Sequence, residues 1–320
     1  MNKKMIAGVA IAAVAMLALM GLAFCWLCPD FWVCRAEKLG AHWAFWRQLA
    51  WNAVGVLAFV LAWKVGWPWW MKAAPFVVAG SVCIMFATVH YGACISGCHM
   101  LRLGPVDLEV MNCLPLVGAL FLAWLQRMMK WRTRTLILML GGAFLAAMAT
   151  QVMTNANRMA RIMQALNDDA ALPANSAALY VSQQMKAAFA ETHWFTGGNS
   201  EVLRNLPGAL THAMPCAASV VFGKWFLLVA CLAFAAIASV FAYGWHAVGD
   251  RSKKTFILFA GLGIIMPAVM GVCECLALLP VRFTCVPLVA FGGTKVLLTW
   301  LTAGVFVSLL SEKDATPLVA

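Results

Sequence analysis

The sequence predicts an all-α protein, a polytopic transmembrane helical bundle of about eight spans with one large extracytoplasmic loop. Three observations carry that prediction. Residues of the AVILMFWYC set make up 64% of the 320-residue chain, against about 45–50% in a soluble globular protein. Charged residues make up 11%, against about 25%. Apolar runs long enough to cross about 30 Å of hydrocarbon recur from one end to the other. A soluble fold of this length exposes too much surface to hide so much apolar material. The 23 Lys+Arg against 12 Asp+Glu give a formal net charge of +11. In a membrane protein such an excess orients helices and meets anionic membrane lipids. No basic run is interleaved with aromatics, so nothing points to a nucleic-acid partner.

The spans read as 5–24, 51–65, 73–89, 110–125, 135–152, 215–242, 256–279 and 287–310. The first follows Met1-Asn2-Lys3-Lys4. It is too long for a signal-peptide core and has no small-residue cleavage site after it, so it is read as a retained span. The second carries a Trp-rich flank in which Trp67, Trp69 and Trp70 are expected to form an interfacial belt. Asp107 and Glu109 would open the fourth span, where acids suit the positive end of the helix dipole. An even number of spans puts both termini on one side. The basic clusters Arg127, Lys130, Arg132, Arg134 and Arg251, Lys253, Lys254 fall on that side with Lys3 and Lys4. The positive-inside rule makes it cytoplasmic.

This reading divides the chain into an N-terminal bundle of five spans (1–152), a polar extracytoplasmic loop (153–211) and a C-terminal bundle of three spans (212–320). A loop that long is functional or disordered. Its helix-permissive stretches 157–166 and 177–190 favour a folded cap. Of 12 cysteines, the pairs Cys28–Cys34, Cys94–Cys98 and Cys275–Cys285 are local disulfide candidates if the outer compartment is oxidising. The rival reading is a metal site from Cys94, Cys98 and His99. It lacks a second Cys/His pair, so no metal ligand set is assigned.

Ionisable groups near a membrane core are costly without a partner or a water-filled cavity. Asp107, His212, Lys224, Glu274 and Lys295 are such groups. Lys295 can snorkel or pair with Glu274, and His212 is either a satisfied histidine or a general base. Gly292-Gly293, at the head of the last span, permits a re-entrant or broken-helix start.

Together these pieces resemble the FtsW/RodA/SpoVE (SEDS) family. Leu278-Leu279-Pro280-Val281 through Pro287-Leu288-Val289-Ala290-Phe291-Gly292-Gly293-Thr294 is similar to its L-L-P-V-T-G-x-P-L-P-F-[IV]-S-Y-G-G-S. Phe45-Trp46-Arg47-Gln48-Leu49 resembles F-x-x-R-Q-L, and Ile95-Ser96-Gly97-Cys98 with Leu103 to Leu108 resembles I-N-G-A-x-R-W and Q-P-S-E-L. In the large loop, Arg158 to Ile162, Tyr180 with Gln183, and Trp194-Phe195-Thr196-Gly197-Gly198 follow in the family's order. Thr211-His212 falls at T-D-F. The departures are equally specific. The stretch holding E-P-D-L-G-T-A is missing, the arginine of R-W has no counterpart, and the T-D-F aspartate is His212.

The resemblance implies a bacterial inner-membrane protein of peptidoglycan assembly, in cell division or cell-shape control. Its reaction would transfer a glycan chain from an undecaprenyl diphosphate donor to lipid II. Such chemistry needs a base for the hydroxyl and a cation at the diphosphate. The resemblance assigns His212 and Asp107 to the first task. It assigns Arg158, Arg161, Gln183, Lys295, Gly292 and Gly293 to substrate binding. It also implies a class B penicillin-binding protein (a transpeptidase) as partner, and it allows a divalent cation. The alternative is a non-catalytic scaffold that binds lipid II or the transpeptidase and modulates an active paralogue.

Overall fold

A computed structural model describes residues 3–27, 42–95, 98–103, 106–108, 110–129, 135, 184–185, 187–198, 214–276 and 286–312. It is a helical membrane bundle. Helices α1 (Lys3–Leu27), α2 (Trp43–Val65) and α3 (Trp67–Tyr91) come first. A ribbon of short strands follows: β1 (Ala93–Ile95), β2 (Cys98–Leu103) and β3 (Val106–Leu108). After a 3-10 turn at Val110–Cys113 come α4 (Leu114–Met129), α5 (Met214–Phe222), α6 (Trp225–Ala247), α7 (Arg251–Cys275) and α8 (Gly293–Ser311). Six of these, α1 to α3 and α6 to α8, are long and apolar enough to cross a membrane. α4 is apolar but has 16 residues. The expected span 135–152 lies almost wholly outside the described residues.

Several boundaries move for physical reasons. α2 begins eight residues before its most apolar stretch, because Arg47 and Gln48 depress hydropathy without breaking the helix. The span read over 215–242 is two helices. Between them Gly223 takes φ +100°, a left-handed conformation that glycine adopts at little cost. The fourth helix starts at Leu114. Asp107 therefore lies on β3, across from Arg102 in the antiparallel register, and not in a first helical turn. The Trp-rich flank is the first turn of α3. Trp69 faces outward at 52% exposure, but Trp67 and Trp70 are core residues at 3% and 9%. Trp67 packs edge-on against Phe256, 5.3 Å between ring centres. The Trp70 indole N–H donates to the Ala62 carbonyl at 3.1 Å.

α8 is the central strut. In its apolar window 72% of residues are buried, against 17% for α3 at the periphery. Its largest interface is with α2, and the two helices run parallel. A Cβ on Gly55 would lie 2.5 Å from the Trp300 ring, one on Gly304 would lie 2.9 Å from Ala62 Cβ, and one on Gly293 would overlap Trp51. Close approach of backbones through small residues is the usual way membrane helices gain packing energy, since lipid gives no hydrophobic drive between them. Across the seam the Trp300 indole N–H donates to Asn52 Oδ1 at 3.1 Å. At the far end of the bundle Ser252 Oγ donates to the Ala123 carbonyl at 2.7 Å. Thr255 bonds Gln126 beside it, and buried Lys253 pairs with Glu312 at 3.0 Å.

Cys275 carries a free, buried thiol, so the Cys275–Cys285 disulfide is not formed. Burial in the α5/α7 contact, beside Cys216, gives it an apolar packing role. Cys28 and Cys34 lie outside the described residues. Cys94 pairs in register with His99, and Cys98 with Ile95.

Two measurements check this packing. Gly21 in α1 faces the chain ahead of α8, where an added Cβ would sit 2.7 Å from the Leu288 carbonyl oxygen and 2.8 Å from that of Val289. Gly21→Ala is expected to cost about 1–3 kcal/mol by overpacking against backbone, seen as a lower Tm in detergent. Gly8→Ala in the same helix, where the new methyl meets nothing within 4 Å, should leave Tm unchanged or raise it. The second is alkylation under non-reducing conditions. Cys275 should resist reagent in the folded protein and react after denaturation without reductant. A Cys275 that needs reduction first would contradict its free state.

Candidate functional site

The segment 286–292 is the bundle's most constrained irregular piece. Val286, Leu288, Val289 and Ala290 are all at most 3% exposed. The Ala290 amide donates to the Val286 carbonyl at 3.0 Å, closing a turn. Leu288 sits at φ 65°, a left-handed conformation costing a branched residue about 1–2 kcal/mol. Full burial of its side chain, worth about 1.5–3 kcal/mol, offsets this. Strain of that kind persists only where surrounding structure over-determines it. Here the surroundings are Gly21 on one side and Gln48 on the other.

Gln48 is wholly buried. Its amide nitrogen donates to the Ala290 carbonyl and its oxygen accepts from the Gly292 amide, both at 3.4 Å. One side chain therefore holds the carbonyl before and the N–H after Phe291, and fixes where α8 begins. Gly293 then fits under Trp51. Close approach explains Gly293, which has no room for a methyl, but not Gly292, around which a Cβ would meet nothing within 4 Å.

Beside this start lies a cavity of about 200 Å³ walled by α4, α7 and α8. Its lining includes Asn112, Pro115, Gly263, Pro267, Pro287, Lys295, Thr299 and Thr302. Pro267 inside α7 has no N–H to give the Gly263 carbonyl, which frees an acceptor in the cavity wall. Thr299 and Thr302 hydroxyls donate back to the Lys295 and Leu298 carbonyls at 2.8 and 2.7 Å, leaving their lone pairs to face the space. Lys295, in the first turn of α8, adds its ammonium to the positive end of that helix's dipole. The ammonium and the dipole favour a negatively charged group, while the carbonyl and hydroxyl oxygens suit a hydrogen-bond donor.

Lys295, Gly292 and Gly293 are thus brought together. Asp107 is placed on the ribbon strand β3. His212, Arg158, Arg161 and Gln183 lie outside the described residues. Among the described residues no group of three or more His, Cys, Asp or Glu could hold a metal ion, so a divalent cation is given no ligands here.

Sequence reasoning missed two parts of this site. Gln48 was signalled by its type, since a polar residue in an apolar helix must find a partner. That the partner would be residues 290 and 292 was not signalled. The second is the dock for residues 192–198. Gly198 donates to the Val220 carbonyl at 2.7 Å, and the Lys224 and Trp225 amides donate to the His193 and Trp194 carbonyls at 3.0 and 3.2 Å. Residues 193–198 of the large polar segment therefore satisfy backbone groups that the α5/α6 break exposes, as membrane depth demands. Lys224 reaches over the Phe189 ring at 5.1 Å.

No family model and no curated protein matches this sequence. Solved structures do. One is from a structure describing coordination of polymerization and crosslinking by a peptidoglycan synthase complex. It is 15% identical over 94% of this chain and 96% of that chain, with a TM-score of 0.72. The Thermus thermophilus rod shape determining protein RodA matches at 14% identity, over 96% of this chain and 97% of that chain, with a TM-score of 0.64. An aspartate-to-alanine mutant of the same RodA matches at 15%, over 96% and 98%, with a TM-score of 0.66. Likeness over the full length at so low an identity shows the architecture: this chain is a multi-pass membrane protein with the fold of RodA.

Proposed function

We propose that this protein acts in peptidoglycan assembly in the bacterial plasma membrane, handling undecaprenyl-linked lipid II in the manner of a glycan polymerase. The observation that carries the reading is the fold, shared over nearly the whole chain with RodA, combined with the pinned 286–292 turn that sets Lys295 at a cavity. Lys295, Arg158 and Arg161 would steady the diphosphate. His212 and Asp107 would take the acceptor's hydroxyl proton, and Gln183, Gly292 and Gly293 would shape the binding surface. Histidine is a competent base near neutral pH, so replacement of the family's aspartate keeps acid-base chemistry. It cannot supply carboxylate oxygen to a divalent cation. Both termini would be cytoplasmic, the segment 153–211 would face outward, and a class B penicillin-binding protein would be the partner.

His212 at the T-D-F position favours a second reading, a scaffold without catalysis that binds lipid II or the transpeptidase. Labelled lipid II incubated with purified protein, with and without a class B transpeptidase, separates the two. Polymer that falls at least a hundredfold on His212→Ala, as expected for loss of a general base, supports the enzyme. Lipid II binding with no polymer under either condition supports the scaffold.

A further inference from the structure

Residues 192–198 form a hook that carries two uncovered rings. Trp194 is 58% exposed and Phe195 83%. The backbone beneath them is held from both sides. The Lys224 and Trp225 amides donate to the His193 and Trp194 carbonyls, and the Gly198 amide donates to the Val220 carbonyl. A Cβ on Gly197 would lie 2.6 Å from the Val220 carbonyl oxygen, and one on Gly223 would lie 2.5 Å from that of Trp194. Glycine at both positions lets two backbones touch, so the hook has one place to sit. At its root the Thr192 hydroxyl donates to the Ala188 carbonyl at 2.7 Å. The two rings are therefore held outward by a fixed backbone. Among the described residues neither side chain meets another aromatic ring or a hydrogen-bond partner.

Depth identifies what covers them. Trp225, whose amide meets the Trp194 carbonyl, is the first residue of α6, a span of 23 residues. The hook is thus one hydrogen bond from the point where a span enters the membrane. Trp225 is itself 38% exposed, with its indole N–H given to the Phe222 carbonyl at 2.6 Å. Exposed tryptophans at a span's end mark the headgroup level. Polar neighbours complete the pattern, since His193 and Thr196 flank the two rings and both are exposed. Apolar rings with polar edges suit the boundary between headgroups and acyl chains.

We propose that Trp194 and Phe195 insert into the membrane interface beside the head of α6 and tether the end of the long polar segment to the lipid surface. By composition that segment reads as an aqueous loop, so this contact is additional to the spans. It is independent of the polymerase reading, because it needs only the hook and the span to which the hook is bonded.

The test uses the full-length protein in nanodiscs of phosphatidylethanolamine and phosphatidylglycerol. With benzoylphenylalanine in place of Phe195, photolysis should give phospholipid adducts of this segment as the main product, read by mass spectrometry. In the wild type, hydroxyl radicals should oxidise Trp194 and Phe195 at roughly a tenth of the denatured rate or less, as insertion among acyl chains requires. Oxidation of both rings at the denatured rate overturns the proposal. Crosslinks confined to protein overturn it even if the rings are protected, because a protein surface then covers them. If the substitution at Phe195 prevents folding, benzoylphenylalanine in place of Thr196, exposed on the same hook, is read by the same two outcomes.

Discussion

Three glycines, Gly55, Gly293 and Gly304, set how closely α2 and α8 approach, and the rest of the bundle is arranged around that seam. Each glycine receives a large side chain or the backbone of the opposite helix, and two hydrogen bonds, Trp300 to Asn52 and Trp63 to Ser311, fix the register. In water such packing would be one contribution among several. In lipid, where apolar surface gains nothing by turning inward, shape and buried hydrogen bonds are what remain to hold two helices together.

The seam also determines what can be built at its head. Because α2 and α8 are parallel and in fixed register, Gln48 lies opposite the turn that precedes α8 and satisfies both of its exposed backbone groups. Irregular backbone inside a membrane protein survives only when protein supplies such partners. The strained Leu288 and the placement of Lys295 both follow from that one amide. Two chemically different features, a cavity cation and a turn, therefore share a single mechanical support.

Hydropathy revealed the spans because burial in lipid demands apolar length, and that demand does not depend on partners. It failed where partners decide. Trp67 and Trp70 have the composition of an interfacial belt and the packing of a core, a distinction made by Phe256 and Ala62 from other segments. Gly223-Lys224 is too brief to lower a hydropathy window, so α5 and α6 read as one helix. Asp107 was placed by analogy with a helix start, while the backbone runs as a strand opposite Arg102. The order of short motifs did carry the architecture, because proline and glycine spacing around residues 287–293 encodes a backbone shape. Assigning chemistry to His212 remains a matter of residue type.

The central claim is that Gln48 holds the turn at the head of α8. Hydrogen exchange at the Gly292 amide, in wild type and in Gln48→Leu, tests it most directly. A lost hydrogen bond is worth about 0.5–1.5 kcal/mol. Exchange at Gly292 is therefore predicted to quicken from a few-fold to about tenfold in the variant, with amides in the middle of α6 unchanged. Equal exchange at Gly292 in the two proteins would contradict the account.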